Sequence, residues 1–238
     1  MVVASFHLVR HAGALGPTAR VPLDRRALAG ADGMRFGRLL GTGDGRSMTT
    51  SADLRRWAVF AVWDGSDDVE RFVERHPVSQ RWDRAEERFD VALRPLGSHG
   101  SWDRTDPLAG SYDHADHADH ADHAGPVAVL TRATVRWRRL PAFLRAVPPV
   151  DAHLRSADGM LEAVGIGEVP VGRQATFSLW RDADAMQRFS YRSAEHVEVV
   201  RRTRDEDWYG EELFARFAPL WWSGTWAGGR PLGLPSRS

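Results

Sequence analysis

One histidine distinguishes two otherwise similar segments of this chain. The segment FAVWDGSDDVERFVER surrounds Trp63, and 117 residues later FSLWRDADAMQRFSYR surrounds Trp180. On this alignment Ser79 of the first copy corresponds to His196 of the second. Because neutral imidazole is the commonest metal ligand in proteins, the second copy is the candidate for metal chemistry.

His196 lies in the segment AEHVEVVR, which has the composition of a helix. A single helical histidine is more often a surface or core residue than a ligand. As a ligand it suits a haem iron better than zinc, because zinc sites take three or four protein ligands. The chain has no cysteine, which excludes disulfides, iron–sulfur clusters, thiolate-ligated haem and Cys-bound zinc.

Two strands predicted in the second copy carry polar residues at alternate positions. Arg132 and Thr134 alternate on the first of these strands, and Gln174, Thr176 and Ser178 alternate on the third. Successive strand residues point to opposite faces of a sheet. We therefore expect these side chains to form one polar sheet face, opposite a face of ordinary core residues.

This polar face has two interpretations. Buried polar groups must be hydrogen-bonded, so the face is either a network inside a barrel or the wall of a binding pocket. Glu162 and Arg216, on the neighbouring strands, are candidates to extend it. The third strand of the first copy, WAVFAVW, has no polar face, which again favours the second half as the place of the chemistry.

The elements that must position these residues repeat as well. Strands are predicted at 3–10, 57–63 and 89–96 in the first copy and at 127–136, 174–180 and 212–222 in the second; helices at 67–75, 140–146 and 182–191. The order β-α-β-β-α-β in each copy predicts an α+β fold of two fused ferredoxin-like modules that form an intrachain dimeric α+β barrel.

Each copy also contains a Gly-x-Gly-acid sequence, beginning at Gly41 and at Gly165. Neither has the third glycine of a dinucleotide-binding fingerprint or the Gly-Lys of a P-loop. We predict that both are hairpin turns in which glycine supplies a positive φ.

These repeats divide the chain into three parts. The predicted N-terminal structural module covers 1–105, and the predicted ligand-binding C-terminal module covers 126–238. Between them, 106–125 contains four Asp-His-Ala triplets. Such a tract could bind Zn or Ni adventitiously, but a solvated low-complexity linker is the favoured interpretation.

Composition excludes several functions. Thirty-two basic residues balance thirty-two acidic ones, so no global field favours nucleic acid as a partner. There is no lysine, which excludes Schiff-base chemistry. No run approaches the ~20 apolar residues of a membrane-spanning helix, so we expect a soluble, cytoplasmic protein.

Several blocks of the second copy resemble the spheroidene monooxygenase family of carotenoid-modifying enzymes. These blocks are LTRAT at 130–134, GIGEVP at 165–170, QATFSLW at 174–180, WYGEELFARF at 208–217 and GTW at 224–226. The resemblance implies haem b bound between a helix and the sheet of one module. It also implies oxygenation of an acyclic carotenoid to a ketone, with O2 and electrons from a ferredoxin-type donor.

Under this resemblance His196 is the proximal ligand, and Arg132, Thr134, Gln174 and Ser178 form the distal wall. The expected substrate is small and apolar, and the expected assembly is a monomer or homodimer with at most peripheral membrane contact. Two alternatives stay open, a haem-dependent lyase of the aldoxime dehydratase type and a non-enzymatic haem-binding protein. The fold is shared among such proteins, so it constrains the cofactor more than the reaction.

Overall fold

Eight antiparallel strands form a closed barrel with a few helices on its outside. The computed structural model describes residues 1–44, 51–112, 123–145, 154, 156–168, 173–192, 203 and 205–233. The first half contains β1 (Val3–Arg10), α1 (Leu15–Leu28), β2 (Met34–Gly43), β3 (Ala52–Trp63), α2 (Ser66–Arg75), α3 (Pro77–Trp82) and β4 (Glu87–Gly100). The second contains β5 (Val127–Val135), a 3-10 turn (Trp137–Arg139), β6 (Met160–Gly167), β7 (Arg173–Trp180), α4 (Ala183–Arg192) and β8 (Tyr209–Gly224). A further helical segment at 140–145 follows the 3-10 turn.

The strand order around the barrel is β1-β3-β2-β6-β7-β5-β8-β4. Each half therefore contributes four consecutive strands, in the equivalent orders β4-β1-β3-β2 and β8-β5-β7-β6. Pairing of β2 with β6 and of β4 with β8 closes the barrel. The prediction of an α+β barrel within one chain is confirmed.

The repeated Gly-x-Gly sequences are strands rather than turns, so the hairpin prediction is wrong. Gly41 and Thr42 of β2 pair with Gly167 and Ile166 of β6, and this short ladder is one of the two joints between the halves. None of these glycines has a positive φ. A Cβ at Gly41 would lie 3.8 Å from the carbonyl oxygen of Gly167, an ordinary van der Waals distance, so the pairing of these strand ends does not itself require glycine at this position.

The barrel interior is apolar and strongly aromatic. Phe6 of β1 stacks on Phe177 of β7, with ring centroids 3.8 Å apart, so the two halves share one core. Trp102 follows β4 and Trp226 follows β8; both fold back into the barrel and are almost fully buried. The repeated Gly-Ser-Trp and Gly-Thr-Trp sequences thus provide an aromatic side chain to the interior from each half.

Part of the predicted linker belongs to this core. Leu108 is fully buried in the barrel cluster, and the Tyr112 hydroxyl donates to the Ser98 carbonyl oxygen at 2.8 Å. Most of the Asp-His-Ala tract, at 113–122, lies outside the described residues. Within the described part of the chain, no helix is long and apolar enough to cross a membrane.

Candidate functional site

The outer face of the first-half sheet, turned away from the barrel interior, is closed by a buried polar network. His7 of β1 is fully buried, and its Nδ1 lies 2.7 Å from Oδ1 of Asp90 on β4. Its Nε2 lies 2.9 Å from Oγ of Ser5, which also accepts a hydrogen bond from Nε1 of Trp63 at 2.8 Å. The imidazole also contacts the rings of Phe72 and Trp82, so helix and sheet are packed tightly around it.

Arg88 extends this network to helix α3. Its Nε donates to Asp90 at 2.6 Å, and its Nη2 donates to Oγ of Ser79 at 2.7 Å. Ser79 is fully buried and donates in turn to the Val73 carbonyl oxygen at 2.7 Å. The residue aligned with His196 therefore lies on a helix directly above the sheet.

Asp90 is ionised within this network. Burial alone would raise its pKa, but the hydrogen bond and charge of His7, followed by the charge and hydrogen bond of Arg88, lower the pKa below the ordinary aspartate value. A buried carboxylate that is bound by the Arg88 guanidinium and by the His7 ring has its charge compensated. The first half therefore has a filled outer face with no room for a ligand at His7.

The second half has the same strand register, but a different residue lies in the middle of its outer face. His7 pairs with Val59 and Asp90, and 124 residues later Thr131 of β5 pairs with Thr176 and Phe214. Thr131 is exposed, although its strand lies between β7 and β8 in the middle of the sheet. The position that His7 fills in the first half thus carries an exposed residue in the second, where residues 194–199, the counterparts of α3, lie outside the described part of the chain.

Apolar residues surround this open position in two separate clusters. One cluster lies toward α4 and the other toward the segment at 140–145; their buried members are Val127, Val129, Leu154, Ala163, Trp180, Ala185 and Met186 in the first, and Val135, Phe143 and Trp208 in the second. In the first half a single cluster covers the equivalent face. We call the outer face of β5 and β7 between the two clusters, around Thr131, the open face.

Polar groups of β7 line the open face. Ser178 accepts a hydrogen bond from Nε1 of Trp180 at 3.0 Å. Gln174 is only 5% exposed, and its Oε1 has no hydrogen-bond partner within the part of the chain that the structure describes. A buried amide oxygen without a partner is costly, and a bound ligand would remove that cost.

The described residues fit the walls of a haem site, apart from its iron ligand. A haem site needs apolar walls for the macrocycle, a small number of polar groups and an axial ligand. The open face supplies two apolar clusters and the unpartnered oxygen of Gln174. The predicted axial ligand, His196, lies outside the described residues.

One histidine beside the open face was not singled out by the sequence. His99 of β4 pairs with Phe214 of β8, and their rings stack with centroids 5.4 Å apart. Phe214 in turn pairs with Thr131, so His99 lies at the edge of the open face. Only the β4–β8 register reveals this, because no local motif surrounds His99.

The prediction of one polar face is wrong. Arg132 pairs with Ala175, and Ala133 pairs with Gln174. Because paired residues lie on the same face of a sheet, the polar residues of β5 lie on the opposite face from those of β7. Gln174, Thr176 and Ser178 lie on the outer face, whereas Arg132 and Thr134 lie on the inner face with the barrel core.

Glu162 and Arg216, the two candidates on the neighbouring strands, also lie on opposite faces of the sheet. Glu162 pairs with Leu179 on the inner face, and Arg216 pairs with Val129 on the outer face. The alternation within a strand determines which of its residues share a face, but the phase between strands depends on register. The predicted residues therefore belong to two different places in the fold.

Arg132 lies on the inner face of the sheet, in the barrel core. Its side chain is 2% exposed and forms an ion pair through Nη1 with Oε2 of Glu211 on β8. Glu211 also accepts from the Arg104 backbone N–H at 2.6 Å and from the Ser101 hydroxyl at 2.9 Å. Burial raises the pKa of Glu211, but these three donors outweigh it and lower the pKa to about 2.

Sequence comparison identifies relatives over nearly the whole chain. A protein named spheroidene monooxygenase from Rhodobacter capsulatus is 33% identical over 240 residues, covering 98% of this chain and 96% of the relative. A protein of the same name from Cereibacter sphaeroides is 33% identical over 84% of this chain and 60% of its own length. A family model described as a domain of unknown function, DUF3291, matches residues 113–231.

Comparison with solved structures identifies the same architecture in a distant protein. A crystal structure of aldoxime dehydratase superposes with a TM-score of 0.60, covering 92% of this chain and 81% of that chain. The sequence identity is 12%, so the likeness concerns the fold alone.

Proposed function

This chain belongs to the spheroidene monooxygenase family, and from that premise we propose that it is a haem-dependent monooxygenase that oxygenates an apolar polyene of the carotenoid class. Family membership makes the chain an oxidoreductase. The observation that carries the proposal is similarity that extends along 98% of the chain and 96% of the relative, and so includes both halves of the barrel.

We propose a structural role for the first half and a haem-binding role for the second. The strand orders β4-β1-β3-β2 and β8-β5-β7-β6 support two ferredoxin-like modules, 1–105 and 126–238, joined by the segment 106–125. In the first module the network of His7 and Asp90 fills the outer face and makes it structural. In the second module the same face is open at Thr131, which supports the second module as the haem-binding one.

Within the second module we assign haem b to the open face, with His196 as the residue that would bind its iron. When bound, the haem iron supplies the site at which O2 is activated. The alignment of His196 with Ser79 supports its role, because Ser79 lies on a helix directly above the equivalent sheet face. Arg132 and Thr134, on the inner face, are not part of this assignment.

The side chains of the open face have distinct tasks. Ser178 and Thr176 carry hydroxyls, and the amide of Gln174 carries both donors and an acceptor, so together they can orient a polar ligand. Hydrogen-bond donors held in an apolar surrounding stabilise developing negative charge more strongly than they would in water. The apolar clusters on either side exclude water and provide contact area for an apolar substrate.

An electron donor is required by the balance of the reaction. Monooxygenation places one atom of O2 in the substrate and reduces the other to water, which consumes two electrons and two protons. With no cysteine, the chain cannot hold an iron–sulfur cluster that would store those electrons. We therefore propose a separate reduced protein of the ferredoxin class as the donor.

Absorption spectroscopy tests the haem assignment. The protein purified after expression with ample haem precursor should show a Soret band, and His196→Ala should shift or abolish it. His99→Ala is the discriminating variant, because His99 lies at the edge of the open face; His11→Ala, in the first half, is the matched control. Loss of the band in His99→Ala with retention in His196→Ala would reject the ligand assignment.

Isotope labelling tests the reaction class. With 18O2, reduced ferredoxin and an acyclic carotenoid, the hydroxylated product of a single oxygenation should carry one 18O atom. Turnover of an aldoxime by the reduced protein without O2 would instead indicate a lyase. Transfer of haem to an acceptor protein, with no turnover of either substrate, would indicate a haem carrier.

A further inference from the structure

Trp137, in the 3-10 turn that follows β5, is an aromatic side chain exposed to solvent. Its exposed fraction is 77%, and no other aromatic residue in the described part of the chain is exposed. Exposed tryptophan is typical of protein interfaces and of membrane surfaces, because the ring has an apolar body and a polar N–H. Trp137 is therefore a candidate for contact with another surface.

Arginines surround this tryptophan. The segment RWRRLPAFLR, at 136–145, contains four arginines and no acidic residue. All four arginine side chains are exposed. The guanidinium of Arg138 lies over the Trp137 ring, 5.4 Å from its centroid, so the protein presents a positive charge and an aromatic ring together.

The segment has an inner and an outer side. On the inner side Phe143 is buried in one of the two apolar clusters that border the open face. On the outer side exposed residues recur at intervals of four, at Trp137, Pro141 and Arg145. The segment is thus attached to the wall of the open face by its inner side, and its outer side is available to a partner.

Acidic residues pair with only two of the four arginines, as far as the described residues show. The two ion pairs are Arg136 with Asp207 at 3.2 Å and Arg139 with Glu206 at 3.6 Å. Arg138, which lies against the tryptophan ring, forms no ion pair with a described residue. The outer side is therefore positive around the tryptophan, and it complements a negatively charged surface.

The first half of the barrel lacks such a segment. Its counterpart, 124 residues earlier, is AGALGPTARV at 12–21, which has one arginine and no aromatic residue. Both segments follow the first strand of their half, so this place in the fold does not require basic and aromatic side chains. They occur only in the half that contains the open face.

A membrane surface fits this segment better than a protein surface does. A stable protein interface buries about 800 Å² on each partner, more than a single short segment supplies. Membrane-surface segments combine arginine with tryptophan and leucine, and tryptophan is enriched at the level of the lipid headgroups. Anionic lipids attract arginines that lie close to the membrane surface.

We propose that the segment 136–145 binds the surface of an anionic lipid bilayer, with Trp137 among the headgroups and Arg138 and Arg145 at lipid phosphates. Because Phe143 attaches this segment to the wall of the open face, the contact brings that face to the bilayer. A long apolar polyene dissolves in lipid and not in water, so it can enter the open face directly from the membrane. Membrane binding itself needs neither haem nor turnover; only its use in substrate delivery rests on the proposed function.

The test is flotation of the purified protein with lipid vesicles over a range of lipid concentrations. The wild type should float with vesicles of phosphatidylcholine and phosphatidylglycerol in equal amounts, and much less with pure phosphatidylcholine. Trp137→Ala should weaken binding to the anionic vesicles about tenfold, because the contact area of the ring is lost. Arg138→Gln should weaken it about fivefold, the effect of one basic residue at an anionic surface. High salt should reduce the difference between Arg138→Gln and the wild type.

Two exposed residues of the first half provide matched controls. Leu15→Ala removes an apolar side chain that is 89% exposed, and Arg84→Gln removes an exposed arginine. Both variants should bind the anionic vesicles as the wild type does. Weakening by the controls equal to that by Trp137→Ala and Arg138→Gln would show that binding does not depend on the segment, and would overturn the proposal.

Three further results would overturn the proposal. One is no flotation of the wild type with anionic vesicles, and another is wild-type binding by Trp137→Ala. The third is binding of an acidic ferredoxin that depends on Trp137 and Arg138, without binding of vesicles, which would make the segment a protein-docking site. The Soret band and 18O incorporation are measured without vesicles, so failure of the proposed function is distinguishable from failure of membrane binding.

Discussion

Thr131 occupies in β5 the place that His7 occupies in β1, and the two residues leave different space above the sheet. His7 is fully buried, with Asp90 on one side and Val59 on the other, whereas Thr131 is exposed between Phe214 and Thr176. The strand pairing is the same, so among the described residues the difference lies in the side chains at this position. Residues 194–199, which align with α3 of the first half, lie outside the described residues. In the first half His7 fills this position, and we propose that a ligand fills it in the second.

Filling the open position should prevent cofactor binding without damaging the fold. In Thr131→Phe the new ring would occupy the space above the sheet beside Phe214, and phenylalanine is well tolerated in strands. We expect haem content, measured by the ratio of Soret to protein absorbance, to fall at least fivefold while the thermal unfolding midpoint of the haem-free protein stays unchanged. Leu54→Phe, at an exposed position of β3, is the control and should keep full haem content. Wild-type haem content in Thr131→Phe would mean that haem binds elsewhere.

The buried network of the first half should contribute strongly to stability. Arg88 binds two aspartates, Asp90 with 3% of its side chain exposed and Asp83 with 66% exposed. Removing a partner from a buried ion pair costs about 3–5 kcal/mol, because the remaining charge is left without compensation. Asp90→Ala should therefore lower the free energy of unfolding by about that amount.

Asp83→Ala is the matched comparison, since it removes an exposed partner of the same arginine. Its effect should stay within about 0.5 kcal/mol. Both values come from urea unfolding followed by circular dichroism. Equal effects of the two substitutions would show that burial of the network does not determine its contribution.

Much of the fold could be predicted from the sequence because the repeat supplies each element twice. The strand beginning at Val3 and the helices near Val69 and Met186 have clear apolar periodicity, and the structure confirms them. The Gly-x-Gly segments were misassigned because glycine is typical of turns, whereas here Gly41 and Gly167 lie at strand ends that pair with each other. Local composition does not distinguish these two uses.

The candidate site was predicted only in part, for a related reason. Alternation correctly grouped Gln174 with Ser178 on β7 and Arg132 with Thr134 on β5. The prediction placed both groups on one face, whereas the register of β5 against β7 places them on opposite faces. The equivalence of His7 and Thr131 could have been found from the 124-residue offset. The exposure of Thr131 and the burial of Arg132 depend on tertiary packing, which no local pattern contains.

Stability at acid pH should depend on Glu211. Its pKa is about 2 in the folded protein and near 4.5 when unperturbed, so the folded state favours the ionised form. The resulting stabilisation is fully present above pH 4.5 and is lost as the pH falls toward 2. Glu211→Gln should therefore flatten the decline in the free energy of unfolding between about pH 5 and about pH 2.5.

Arg132→Leu provides an intermediate case for the same measurement. It removes one of three donors to Glu211 and leaves those of Arg104 and Ser101. Its slope over the same pH range should lie between those of the wild type and Glu211→Gln. Identical slopes for all three proteins would show that Glu211 does not contribute to the pH dependence.

Two glycines at the ends of β4 and β8 should be irreplaceable. Gly100 and Gly224 have φ of 95° and 83°, and a Cβ on either would collide with a backbone carbonyl, that of Glu212 or that of Arg88. The following N–H group donates to the same carbonyl, at 2.7 Å from Ser101 and 2.9 Å from Thr225, so the close approach is part of the hydrogen bonding.

Gly224→Ala should therefore lower the free energy of unfolding by at least about 3 kcal/mol, from strain at positive φ together with displacement of the backbone. Gly110→Ala is the control, because Gly110 has a φ of 71° but no atom within 4 Å of the place that a Cβ would take, and only the conformational cost of about 1 kcal/mol remains. Urea unfolding of the two variants gives the comparison. Because Trp226 enters the barrel two residues after Gly224, the larger loss should come with a change in near-ultraviolet circular dichroism that Gly110→Ala does not produce.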